Sequence, residues 1–321
     1  MSRKLLSYVA SSLILGSTAI AEVPKVAVDI APVHSLVSRV MEGLDSPKLI
    51  IPAGVSPHEY SLRPSEAKSL QEADMVIWIG EDLAPWMKKS IETLSKNAEV
   101  VTLLEESSTK LLEFREGVLF EEHDHYDHDD HDDHDDHDHD KDHDDHDDHA
   151  HGEIDPHAWL SIENAQTWLN LVAGKLSASD PENAGVYFAN AAAAREEIND
   201  LVKEVHSILE PVRGRNFVVF HDAYQYFETS FEFPAAGAIS LGDANDPSAA
   251  RIAEIQDRVK DEGINCVLSE PQFNANLVTT VLSGTDAKTG VIDPLGLGLE
   301  LGPKLYSDLI RNMAKTLAGC L

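Results

Sequence analysis

Positive charge is scarce in this chain: 25 Lys and Arg stand against 57 Asp and Glu, a formal net charge of −32. That balance excludes general electrostatic binding to nucleic acid or to an anionic membrane surface, and it favours cations instead. Cysteine is nearly absent, with only Cys266 and Cys320. They are far apart and lack a C-x-x-C spacing, which argues against a thiolate zinc site. Long hydrophobic runs are missing too. The longest, Leu5 to Ile20, is too short and too interrupted for a good membrane span. Catalytic signatures are equally lacking: there is no Gly-x-Ser-x-Gly, no Walker loop and no His-Glu-x-x-His. Gly296-Leu297-Gly298 imitates the start of a dinucleotide loop, but the next glycine, Gly302, comes one residue late and a proline follows it. The few Trp and Phe residues read as core.

The first residues have the form of an export signal. Arg3 and Lys4 precede the apolar stretch, and Ala19-Ile20-Ala21 has the small-x-small pattern of a cleavage site. We read 1–21 as a removed signal peptide. No cysteine lies nearby to take a lipid, so the expected product is a soluble periplasmic protein, in a compartment that permits a disulfide. Closing a loop of that length contributes roughly 4 kcal/mol in the chain-entropy model.

At 42% hydrophobic the 321 residues suffice for two cores. Apolar runs at Lys25–Ile30, Lys48–Ile51, Asp74–Ile79 and Val100–Leu104 read as strands, with helices predicted between them at Pro32–Met41, Pro64–Glu72 and Pro85–Lys96. Such alternation predicts parallel βαβ units. After Ile154 a helix is predicted over Ser161–Leu176. Asp180-Pro181 then reads as N-cap and first helical position of a helix running to Glu210. About 30 residues of helix would span about 45 Å, enough to cross between lobes. The α/β alternation returns with strands at Asn216–Phe220, Ala236–Ser240, Asn265–Ser269 and Gly290–Ile292, and helices at Pro247–Glu262 and Pro303–Ala318. The expected fold class is α/β: two lobes, 22–178 and 211–321, each a parallel-type sheet flanked by helices. A long helix over 179–210 joins them, and a metal cleft lies between.

One segment departs from this pattern. Glu121 to His151 holds eleven His and seventeen Asp or Glu against one Lys, about half of the net charge. With no apolar period it cannot build a core, so 121–153 is expected to be a disordered insert. Its histidines, His123, His125, His128, His131, His134, His137, His139, His143, His146, His149 and His151, make it a flexible auxiliary site for divalent ions. Charge alone would not require so many imidazoles.

Five histidines lie outside the insert. His58 follows the second strand, His157 stands in an Asp-Pro-His turn, and His221 ends the Asn-Phe-Val-Val-Phe strand. Ligands of open α/β sheets bind beyond the carboxyl ends of the strands, so these three are placed to converge. Asp293 also ends a strand and is a fourth candidate. Three imidazoles with at most one carboxylate suit zinc better than manganese. Asp155 and Asp222, beside ligand candidates, could orient imidazoles or serve their own turns. His34 is assigned to the first helix and His206 to a helix surface.

Pro57-His58-Glu59-Tyr60-Ser61-Leu62-Arg63-Pro64-Ser65, Asp155-Pro156-His157-Ala158-Trp159-Leu160, His221-Asp222-Ala223-Tyr224-Gln225-Tyr226-Phe227, Ser269-Glu270-Pro271-Gln272-Phe273 and Asp293-Pro294-Leu295-Gly296 together resemble five motifs of one family. By them the chain is similar to zinc receptors of the cluster A-I (ZnuA-type) metal-binding proteins over nearly all of its mature length. The resemblance implies two α/β lobes on a rigid helix, metal ligands at His58, His157 and His221, and Asp293 or water in the fourth position. It also implies a C-terminal disulfide between Cys266 and Cys320. Some zinc members carry Glu just before the first His; here Pro57 stands there. The implied function is a monomeric periplasmic zinc receptor, not an enzyme, that delivers Zn2+ to an ABC-transporter membrane permease. An auxiliary periplasmic metal chaperone is a possible further partner. The alternatives are a zinc-storage or chaperone protein, a zinc hydrolase and a manganese-importer component.

Overall fold

The structure, a computed structural model, describes residues 22–115, 120, 154–240, 249–261, 263–272, 278–280 and 282–321. The expected signal peptide, the histidines of the insert and Phe273 lie outside the described residues.

The first lobe runs β1 (Val26–Val28), α1 (Ala31–Val40), β2 (Lys48–Leu49), α2 (Pro64–Glu72), β3 (Met75–Trp78), α3 (Pro85–Leu94) and β4 (Glu99–Thr102). Each of its three helices carries Pro in its first turn, where a missing N–H costs nothing. The strands pair in parallel in the order β2-β1-β3-β4. Two long helices follow, α4 (Ile162–Ser179) and α5 (Ala184–Leu209). The second lobe holds β5 (Phe217–His221), α6 (Gln225–Phe231), β6 (Gly237–Ser240), α7 (Ala249–Asp261), β7 (Cys266–Ser269), β8 (Lys288–Val291) and α8 (Leu305–Cys320). Its parallel order, β6-β5-β7-β8, repeats that of the first sheet.

Helix α5 joins the lobes. Tyr187, Ala191, Ala194, Ile198, Leu201, Val205 and Leu209 form its buried stripe, spaced three and four apart as one helical face requires. Helices α4, α1 and α8 pack against α5. Its 26 residues span about 39 Å. Polar contacts fix it at both ends: Asn190 Nδ2 donates to the carbonyls of Val40 and Glu42, and Arg311 Nε donates to Glu204. One apolar core consequently runs from Val26 to Leu321 through both lobes. A smaller one, built from Val218, Phe220, Ile239, Ile255, Val259 and Val267, lies under α7. Alternate residues of β5 serve the two cores, Phe217 and Val219 facing one, Val218 and Phe220 the other. Cys266 and Cys320 form the expected disulfide, tying β7 to the end of α8.

Three local expectations need correction. The long helix does not start at Pro181. Pro181–Asn183 is a 3₁₀ turn that leads into α5, and the Asp180 side chain makes no cap bond; its Oδ2 accepts from Asn183 Nδ2 and Tyr187 Oη, while its backbone N–H closes α4 on Leu176 O. Helix α6 was not foreseen, because seven residues are too few to display a helical period. His206 is half-buried rather than a surface group, packed edge-on against Phe231 with ring centroids 5.6 Å apart.

Each sheet has a switch point between its first and third strands, where the chain's crossovers leave in opposite directions. In the first lobe that crevice is plugged. Asp29, directly after β1 and wholly buried, accepts from Ile30 N at 2.7 Å and from Ile79 N, beyond β3, at 2.6 Å. Burial pushes its carboxyl up to about 7, against the pull of those amides. Between the ordinary carboxylate range and pH 7 the native state therefore holds a proton that the unfolded chain has lost. Stability from this group is complete at low pH and is lost as pH rises through 7. We expect the stability of Asp29→Asn, relative to the parent, to improve by a few kcal/mol between pH 4.5 and 8, whatever the offset from losing one acceptor oxygen. Urea unfolding of the zinc-free protein at both pH values checks this; a difference that does not change with pH refutes it.

Candidate metal centre

The second lobe's switch point is built differently. His221 is the last residue of β5, and Glu270 directly follows β7, its neighbour in the sheet. Both side chains are buried, and His221 Nδ1 lies 2.6 Å from Glu270 Oε1. From the facing side comes His157, ahead of the 3₁₀ turn Ala158–Leu160. Asp155 Oδ1 accepts both the His157 backbone N–H at 2.9 Å and, at 2.7 Å, contacts its Nδ1. Burial pushes the Asp155 carboxyl up to about 7, while the His157 amide and the charge of Arg115 oppose the rise.

Assigning each Nδ1 as the donor to its carboxylate puts a lone pair on each Nε2. Those two atoms face one another at 3.4 Å. Two acceptors at that distance repel unless a cation or proton lies between them. A tetrahedral zinc ion with bonds of about 2.0–2.1 Å holds its nitrogen ligands about 3.3 Å apart.

His58 completes the mouth of the cleft, its ring centroid 5.6 Å from that of His157. Its loop is held by Trp86, whose Nε1 donates to Pro57 O at 2.9 Å, and by Glu66, which accepts from Tyr60 Oη and Arg63 N. Trp159, Gln272 and Leu295 line the same cleft. Among the described residues no three His, Cys, Asp or Glu side chains are gathered closely enough to form a finished metal site. The facing pair is set; His58 stands one ring away.

The other candidates have further partners. Asp293 Oδ1 accepts from Leu295 N at 2.9 Å and Gly296 N at 3.1 Å, capping its own turn, and Glu270, not Asp293, lines the cleft. Asp222 orients no imidazole, since its carboxylate is taken by Arg115. Asp155 does meet its expectation. His34 stays within the first lobe: its Nε2 lies 3.0 Å from Pro47 O. Glu270 went unassigned although Ser269-Glu270-Pro271 stands at a strand end. The signal that reveals it is strand order, which makes β7 the neighbour of β5.

A family model described as "Zinc-uptake complex component A periplasmic" matches residues 26–320. The chain belongs to the ZnuA family. A high-affinity zinc uptake system protein ZnuA of Brucella abortus (strain 2308) is 47% identical over 314 residues, 95% of this chain and 94% of that protein. The protein of the same name from Paracoccus denitrificans (strain Pd 1222) is 46% identical over 311 residues, 96% and 95% of the two chains. Among solved structures, a crystal structure of ZnuA superposes with a TM-score of 0.71 at 21% identity, covering 92% of this chain and 98% of that one. A zinc-bound ZnuA deletion mutant gives 0.72 at 21%, covering 92% and 97%. At that identity the two structures speak to the fold, which they share with this ZnuA-family chain.

In zinc-free protein at pH 8.5, where Asp155 is ionised, ring 15N NMR should find His157 and His221 both as Nδ1–H tautomers. A dominant Nε2–H tautomer on either ring would remove the case for a cation between them.

Proposed function

We propose that this chain is a periplasmic receptor that binds one zinc ion through His58, His157 and His221 and delivers it to the membrane permease of an ABC importer. The observation that carries the reading is the pair of Nε2 atoms facing at 3.4 Å, each ring fixed from behind by a buried carboxylate. Membership of a family described as a zinc-uptake component, and close relatives named for high-affinity zinc uptake, support the same conclusion. We assign the fourth position to water rather than Asp293, whose Oδ1 serves two turn amides and whose side chain does not line the cleft. No helix among the described residues is long and apolar enough to cross a membrane, in keeping with a receptor that meets its permease from outside the bilayer.

The reading is of a receptor, not an enzyme. Three imidazoles and a water also describe a catalytic zinc, but hydrolysis needs a general base with access to that water. Asp155 and Glu270 are each committed to an imidazole. The insert at 121–153 is assigned capture of divalent ions ahead of the cleft.

Calorimetry with a competing chelator tests the proposal on three proteins: the mature chain, a form lacking 123–151, and the triple variant His58→Ala/His157→Ala/His221→Ala. One tight zinc should survive loss of the insert and vanish in the triple variant. Tight binding that follows the insert would overturn the receptor site and leave a zinc buffer. Within the cleft, Glu270→Gln should weaken zinc roughly 10–100-fold by freeing the His221 ring, while Asp293→Ala should leave affinity nearly unchanged. The reverse order would make Asp293 a ligand.

A further inference from the structure

Behind the two imidazoles lies a second buried cluster that the zinc site does not itself use. Arg115 ends the described segment before the insert. Its Nε donates to Asp222 Oδ2 at 2.9 Å and its Nη2 to Asp222 Oδ1; Nη1 and Nη2 donate to Glu228 at 2.8 and 3.1 Å. Asp222 and Glu228 are 2% and 5% exposed and Arg115 only 17%, so the ion pairs are shielded from water. Burial disfavours the guanidinium charge, but the bonds and charges of the two carboxylates outweigh it and raise its pKa. The ring of Phe120 lies 3.5 Å from the guanidinium carbon and closes the exposed side.

The position of this cluster makes it more than a structural ion pair. Asp222 is the residue after His221, so Arg115 grips the end of β5 where the ligand strand stops. The segment that carries Arg115 also holds the turn that bears the other imidazole. Leu112 N donates to Tyr226 Oη at 2.9 Å, and that hydroxyl donates to Asp155 O at 3.0 Å. Glu113 bridges Ile154 in antiparallel pairing. Gln225, with its amide nitrogen facing the acceptors, donates to Asp155 Oδ2 and Glu113 O, each at 3.1 Å. Residues 112–115 are thus bonded on one side to the turn that holds His157 and on the other to the strand end that holds His221.

We propose that Arg115 is a positioning residue for the zinc site: it sets the separation of His157 and His221 across the lobes and balances the carboxylates stacked behind them. The proposal rests on the zinc reading above. Four carboxylates, Asp155, Asp222, Glu228 and Glu270, lie within two layers of the facing imidazoles, and among the described residues Arg115 is the cation bonded into that group. Without it Asp222 repels both Glu228 and Asp155, and the strand end of His221 loses its bonds to the segment that holds the His157 turn. Lys carries the charge but not the planar fork that engages two carboxylates together.

The test uses Arg115→Gln, Arg115→Lys and, as a milder change that keeps the Asp222 pair, Glu228→Gln, in the mature chain, with His157→Ala as the control for the site itself. Zinc affinity is read by chelator competition, coordination by the visible spectrum of the cobalt(II) form, and folding by Tm of the metal-free protein. Arg115→Gln should lose roughly 10–100-fold in zinc affinity and alter the cobalt spectrum. Arg115→Lys should recover only part of each. Glu228→Gln should lose less affinity than Arg115→Gln while staying folded. Affinity and cobalt spectrum unchanged in Arg115→Gln, or in Glu228→Gln should the Arg115 variants not fold, would overturn the proposal. Tight zinc binding retained by His157→Ala would instead refute the site on which it rests.

Discussion

The geometry of this protein depends on one continuous apolar core threaded by α5. Seven buried side chains on a single helical face pack at once against helices of the first lobe and against α8 of the second. Burying each large apolar side chain contributes about 1.5–3 kcal/mol, so sliding one lobe over the other would expose several such contacts together. The carboxyl edges of the two sheets are thereby held at a fixed separation. Hydrogen bonds that cross between the lobes reinforce it: Trp159 Nε1 to Pro294 O, Tyr306 N to Ser35 Oγ and Tyr306 Oη to Trp159 O. Polar groups mounted on those edges inherit the precision of the core beneath them.

The two lobes repeat one strand order and use its crevice in opposite ways. In the first, Asp29 sits at the switch point and satisfies the amides of Ile30 and Ile79. In the second, the same place holds an imidazole backed by a carboxylate, His221 on Glu270. A buried carboxylate facing backbone amides completes itself. A buried imidazole whose Nδ1 is already engaged still offers a lone pair, and needs something positive in front of it. With a second such ring opposite, the two Nε2 atoms face one another, and the proposed zinc site rests on that pair.

Much of this was legible from residue order alone. Apolar runs of four to six residues separated by proline-started helices reveal two parallel α/β lobes, because burial on both faces and the first-turn preference of proline are local effects. His58, His157 and His221 were legible as a group because each follows or faces a strand end. What stayed hidden depends on which strands are neighbours. Glu270 becomes the partner of His221 only when β7 is seen beside β5. Asp222 looks in sequence like an orienting carboxylate for its neighbour, yet Arg115, 107 positions away, takes it. Asp29 announces itself as a charged residue in a buried strand, but not what it plugs. Helix α6 is too short for periodicity and is held by packing instead, with Tyr226, Phe227 and Phe231 buried.

A rigid frame constrains how cargo leaves. On the proposed ligand set, His157 and His221 are bound into the frame by carboxylates and by the segment around Arg115, whereas His58 rides on a loop. Contacts also tie that loop to the opposite lobe. One is the long bond from Gln272 Nε2 to Ala53 O at 3.5 Å, and another is the close approach of Leu297 to Gly54, where an added Cβ would lie 3.1 Å from Leu297 Cδ1. Within its own lobe, Trp86 and Glu66 hold the loop at either side of His58. Separating His157 from His221 costs core packing and buried ion pairs, whereas His58 is carried by a loop. Removing one imidazole from a tetrahedral ion opens it to water and competing ligands without moving a lobe. On the proposed ligand set, release through the His58 loop would leave the two buried imidazoles at their spacing.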